Sequence, residues 1–159
     1  MQIFDIDRTD HEAVLALNSA SVPHVNNIGG DELAWFAKHA AYFRGASIDE
    51  KFAGFLIGLR PGTTYASLNY RWFCANYSDF AYVDRVAVNE WARRQGVAEA
   101  LYADFANSQT NVSLMTCEVN IRPTNIASMK FHTRLGFKQV GSQEIDSGTK
   151  EVALMEKKL

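Results

Sequence analysis

Residues 82–102 read YVDRVAVNEWARRQGVAEALY, and this stretch decides the architecture. It begins inside Phe80 to Val88, whose β-branched and aromatic content is that of a central strand. It ends in a segment where Val97, Leu101 and Phe105 recur at four-residue intervals, the spacing of one helix face. Between the two lies Arg93-Arg94-Gln95-Gly96-Val97-Ala98, so the unit is strand, loop, helix. A helix N-terminus offers unpaired N–H groups and partial positive charge, glycine permits close approach, and arginines add charge-assisted bonds. Such a loop can hold a pyrophosphate. The same six residues also describe a basic turn whose glycine serves helix packing. The G-x-G-x-x-G fingerprint and the Walker pattern are both absent, which argues against NAD-type and P-loop ligands.

Working outward, Gln2 to Ile6 reads as a short strand, and Thr9 with Glu12 has the spacing of a capping box opening a helix that ends near Ser21. Asp31 is placed to cap a second helix, with Leu33, Phe36, Ala37 and Ala40 on one face. The intervening SVPHVNNIGG reads as a loop. Tyr42 to Ile48 and Phe52 to Arg60 flank a short acidic stretch as a hairpin. Residues 63 to 79 crowd Tyr65, Tyr70, Trp72, Phe73 and Tyr77 into a segment with neither period, expected to be a structured insertion. Leu114 to Val119 reads as a strand and Asn125 to Leu135 as a helix ended by Gly136. Phe137 to Ile145 and Glu151 to Lys158 form a closing hairpin across Asp146-Ser147-Gly148. The expected fold is α/β (α+β), one domain over residues 1–159, with a mixed, mostly antiparallel sheet of about six to seven strands and about four helices on its faces.

At 159 residues, with 47% hydrophobic against 21% charged residues, the chain is globular rather than disordered. A formal net charge of -2 gives no reason to expect nucleic acid or an anionic membrane as partner. Cys74 and Cys117 match no metal-ligand spacing and read as reduced thiols. The opening MQIFDIDRTD has neither a basic nor an apolar stretch, and no run approaches a spanning helix, so a cytoplasmic protein is expected. A homodimer is plausible on general grounds alone.

With these residues in view, residues 82–102 resemble the central motif of the GNAT superfamily of N-acetyltransferases, in which R/Q-x-x-G-x-G/A cradles the pyrophosphate of acetyl-CoA. Arg93, Gly96 and Ala98 stand at its fixed positions. A second block, CEVNIRPTNIASMKFHTRLGF over residues 117–137, resembles the later strand and helix of that family. Together the blocks cover about the C-terminal half. The resemblance implies acetyl-CoA as cofactor, with Val86, Ala87 and Val88 lining the pantetheine arm and Arg93, Arg94, Gln95, Gly96, Val97 and Ala98 around the phosphates. It also brings Asn125 and Ser128 to the CoA. Asn125 equally suits a helix cap, and Ser128 a solvent-facing position.

Direct transfer to an amine needs a base, because an amine with a pKa near 10 is mostly protonated at neutral pH. Asp84 sits within the central strand, where acids are depleted, and some aminoglycoside-type members carry an acid there. Glu118 matches the base position of members that acetylate protein N-termini. Each acid also suits a salt bridge, to Arg85 or Arg122 for example. The helix from Asn125 is expected to bury Ala127, Phe131 and Leu135, with Asn125, Ser128 and His132 on a neighbouring face. His132 stands where the family commonly has a tyrosine that protonates the departing thiolate, so the identity of the acid is open. The resemblance implies a primary amine, on a small molecule or a protein, as acceptor. The alternative is a non-catalytic acyl-CoA-binding or regulatory module of the same fold.

Overall fold

The computed structural model describes residues 1–159. In chain order the elements are β1 (Gln2–Asp5), α1 (His11–Ala20), α2 (Gly30–His39), β2 (Tyr42–Ile48), β3 (Lys51–Leu59), α3 (Leu68–Asn76), β4 (Ala81–Val88), α4 (Val97–Ser108), β5 (Leu114–Arg122), α5 (Ile126–Arg134), β6 (Lys138–Ile145) and β7 (Lys150–Lys158). The seven strands form one sheet in the order β1-β2-β3-β4-β5-β7-β6. The pairs β1–β2, β2–β3, β5–β7 and β6–β7 are antiparallel, whereas β4 and β5 pair in parallel, so the sheet is mixed as expected. Five α-helices are present rather than about four, the addition being α3 within the aromatic segment.

Two compact units make up the chain. The first comprises Met1–Leu59 and Arg85–Ser108. Its hairpin turns at Asp49 and Glu50, both with positive φ (49° and 61°), as a tight two-residue connection requires. Helix α4 packs its buried Val97, Leu101 and Phe105 inward, as their spacing foretold. At Gly58 a Cβ would lie 2.3 Å from Phe105 Cζ, so the strand is bare where the ring presses on it. Asp104 of α4 accepts from Tyr42 Oη (2.8 Å) and Arg44 Nη1 (2.9 Å), and Arg44 also reaches Asp5 (2.7 Å).

The starts of α1 and α2 differ from expectation. Thr9 is not the cap of α1; its N–H and hydroxyl both donate to Asp7 Oδ1 (2.7 and 2.6 Å), and the cap position falls on Asp10. The short acid two residues upstream competes for the threonine and forms a local turn instead. Gly29, not Asp31, caps α2, with its N–H donating to Glu32 Oε2 (3.1 Å). Leu33 and Phe36 are buried in α2, but Ala37 is exposed.

The second unit comprises Arg60–Asp84 and Gln109–Leu159. Here Ala81–Val83 pair with Met115–Cys117, and β7 lies between β5 and β6. Ser67 caps α3 by accepting from Tyr70 N (3.3 Å), and Asn69, Tyr70 and Phe73 turn inward. Tyr70 and Phe73 ring-pack against Phe80 and Tyr82, which makes this segment part of the core. On α5 the expected faces are exchanged: Ala127 is exposed and His132 is buried, while Phe131 and Leu135 are only half-buried. Ring packing of His132 against Phe137 anchors that inward face.

Candidate active site

The predicted anion cradle begins where β4 ends. Asn89 ties the chain to β3 through its side chain to Phe52 O (2.9 Å) and its N–H to Ala53 O (2.8 Å). Strand approach upstream depends on Gly54, whose Cβ would stand 2.6 Å from Ala87 O. A short 3-10 turn, Glu90–Ala92, follows, and Gln95 Nε2 donates back to Trp91 O (2.9 Å). Arg94 (φ 62°) and Gly96 (φ 79°) both take left-handed conformations, which swing the chain into α4. A Cβ on Gly96 would meet nothing within 4 Å, so the backbone conformation, not crowding by the protein, demands glycine. The space above it is open. Arg93, Arg94, Gln95 and Gly96 are exposed and Ala98 is half-buried, while Val97 is buried and fastens the helix. The first turn of an α-helix leaves its N–H groups without intrahelical partners. An exposed loop with two arginines, open room over a glycine and a helix start behind it suits a diphosphate. Val86 and Val88 are half-buried and Ala87 is buried.

In the second unit, Glu118 of β5 is half-buried, and its carboxylate accepts from Tyr82 Oη at 2.9 Å (Oε1) and 2.7 Å (Oε2). Asn69 Nδ2 donates to the same Oε1 at 3.2 Å. Tyr82 is fully buried, and burial first, then the charges of Glu118 and Asp84, push its phenol well above the usual range. It therefore remains a proton donor in hydrogen bonds and does not ionise. Asp84 is half-buried, one residue beyond the Val83–Cys117 pair, and Glu118 is one residue beyond on the other strand. Both acids thus act on one phenol.

Arg122 pairs with Glu144 (2.9 Å) and Glu151 (3.3 Å). Arg85 is buried, donates to Asn18 Oδ1 (2.9 Å) and Asn26 O (3.1 Å), and lies over the Phe36 ring. It pins the segment joining α1 and α2.

Asn125 caps α5, its Oδ1 accepting from Ser128 N at 3.0 Å, and Ser128 is half-buried rather than open to solvent. His132 Nδ1 lies 2.8 Å from Ser128 O and 3.2 Å from Ser128 Oγ. A carbonyl only accepts, so Nδ1 carries the proton. Burial pushes the imidazole below its ordinary value, partly offset by that hydrogen bond. The ring is neutral at pH 7. Cys74 is exposed and Cys117 buried, both as free thiols, and burial raises the latter well above its usual range.

Sequence reasoning singled out the loop and both acids but missed Tyr82, Asn69 and Gln143 as their companions. Ser67 three residues before Tyr70 is a cap signal that would have exposed α3 and, with it, Asn69.

Residues 3–137 match the Acetyltransferase (GNAT) family. The chain belongs to that family and is an N-acetyltransferase by class. A search of curated proteins by sequence found no match. Among solved structures, the fold is similar to the ribosomal-protein-S18-alanine N-acetyltransferase of Escherichia coli (TM-score 0.74, 17% identity, 99% of this chain and 92% of that one). It is similar as well to the ribosomal-protein-alanine N-acetyltransferase of Brucella melitensis (TM-score 0.74, 17% identity, 100% of both chains). A third is Chaetomium thermophilum Naa20 in complex with a bisubstrate analogue (TM-score 0.76, 17% identity, 100% of this chain and 87% of that one). No helix is long and apolar enough to cross a membrane.

Proposed function

We propose that this chain transfers an acetyl group from acetyl-CoA directly to a primary amine, with Glu118 as the base. The observation that carries this reading is the half-buried Glu118 carboxylate held by Tyr82 Oη on both oxygens. A carboxylate that only accepts is suited to take a proton from an ammonium group, which at neutral pH cannot attack. Arg93, Arg94 and the amides of Gln95 to Ala98 would hold the diphosphate, and Val86 to Val88 the arm beyond it. When bound, acetyl-CoA supplies a thioester whose thiol, with a reference pKa of about 8.5, leaves readily. Asp84 adds negative charge near the same phenol and favours a cationic acceptor, while Glu118 is hydrogen-bonded at both oxygens.

His132 is assigned to the core and not to acid catalysis. With Nδ1–H turned to Ser128 O in a neutral ring, Nε2 has no proton to give. Asn125 and Ser128 start α5, and on this reading they would contact CoA. The acceptor class includes peptide α-amino groups, the kind of group that the ribosomal-protein-alanine enzymes of similar fold act on by name.

The test is release of free CoA thiol from acetyl-CoA across a panel of small amines and short peptides. Amine-dependent release supports the proposal. Binding of acetyl-CoA without release for any acceptor would favour the non-catalytic module.

A further inference from the structure

Glu118 does not stand alone, and the residues behind it come from two other elements. Asn69, the second residue of α3, is 6% exposed and donates Nδ2–H to Glu118 Oε1 at 3.2 Å. Its other end, Oδ1, accepts from Gln143 Nε2 of β6 at 3.1 Å. A buried amide has one accepting and one donating end, so its orientation is decided by its neighbours. Reversed, Asn69 would turn its oxygen on the Glu118 carboxylate and lose that bond. The acceptor-only carboxylate therefore decides which end of Asn69 faces it, and Gln143 holds the opposite end in place. We infer that Asn69 and Gln143 are positioning residues of the acetyl transfer: a two-amide relay that fixes the orientation of the Glu118 carboxylate and favours its ionised form.

This inference rests on Glu118 being the base. Hydrogen bonds donated to a carboxylate stabilise its charged form, and a like charge nearby does the opposite. Tyr82 and Asn69 both donate to Glu118, which fixes the plane of its carboxylate. The relay also explains why a polar residue, Asn69, is buried on the inner face of α3 along with Tyr70 and Phe73, where apolar side chains are the rule.

The experiment is the pH profile of kcat/KM for amine acetylation in wild type, Glu118→Gln, Asn69→Asp, Asn69→Ala and Gln143→Met, with acetyl-CoA affinity and melting temperature measured on each to establish folding. In Asn69→Asp a carboxylate replaces the amide beside Glu118, and the acidic limb is expected to move up by about one pH unit. Gln143→Met removes the bond that anchors Asn69 Oδ1 and loosens its hold on Glu118, so the rate falls several-fold and the limb rises; in an Asn69→Ala background the same change has no further effect, because the relay is already broken. Loss of the acidic limb in Glu118→Gln together with an unmoved limb in Asn69→Asp overturns the relay while leaving the base intact. An unaltered profile in Glu118→Gln instead overturns the assignment of the base, and the relay with it. A Gln143→Met effect of equal size with and without Asn69 also contradicts the relay.

Discussion

The hydroxyl of Tyr82, at the centre of a buried aromatic cluster, lies 2.7 Å from Glu118 Oε2 and 2.9 Å from Oε1. Because the phenol is buried and flanked by negative charge, it stays protonated through the working pH range and donates throughout. Tyr82→Phe keeps the ring packing and removes only the donor. A hydrogen bond to a charged group contributes about 1.5–3 kcal/mol, so kcat/KM is expected to fall roughly tenfold or more. Its acidic limb should move to higher pH, which steady-state kinetics between pH 5 and 9 will read.

Gly96 has φ 79° and open space above it. Gly96→Ala therefore tests conformation, costing about 1–2 kcal/mol for the left-handed backbone. Gly96→Asp adds bulk and negative charge where a diphosphate is expected. Calorimetric titration with acetyl-CoA should show a modest loss for alanine and no measurable binding for aspartate. Unchanged affinity in the aspartate variant would remove this loop from the cofactor site.

Gly54 faces Ala87 O so closely that a Cβ would stand 2.6 Å away, and that neighbour is backbone, not a side chain free to turn. Gly54→Ala must displace β4 near Val86–Val88. Overpacking of this kind costs about 1–3 kcal/mol, and the KM for acetyl-CoA should rise along with the fall in melting temperature. A stable variant with unaltered KM would separate this strand segment from cofactor binding.

His132 is buried with its pKa below the ordinary imidazole value of 6.5. The unfolded chain then binds the extra proton more readily than the folded one, so stability rises with pH in that window. The contribution is complete above pH 6.5 and is lost as pH falls through the depressed folded value. Melting temperature measured from pH 7.5 down to 4.5 should drop less steeply in His132→Phe than in wild type. The same variant should retain acetyl transfer if, as proposed, the ring is not the acid.

Legibility in the sequence followed the strength of local patterns. The 93–98 loop was readable because strand, glycine and helix stand in immediate succession, and Asn125 because a cap acts within its own turn. Helix α3 was missed because its buried face is not an apolar stripe: Asn69 is inside, Leu68 outside, and the aromatics contact β4 residues rather than obeying a helical period. The exchange of faces on α5 has a similar cause, a buried histidine satisfied by the backbone carbonyl one turn back. Thr9 was claimed by Asp7, a competition between two short-range turns that spacing alone does not resolve. The Asn69–Gln143 contact joins residues 74 apart in sequence, so no local pattern announces it.

The most direct test of the account compares amine acetylation by wild type and Glu118→Gln as a function of pH, with acetyl-CoA binding measured alongside. A positioned general base contributes about 100-fold or more to rate, so the account predicts a loss of at least that order with cofactor affinity retained, and disappearance of the acidic limb. A Glu118→Gln enzyme that acetylates at the wild-type rate with the wild-type pH profile would contradict it.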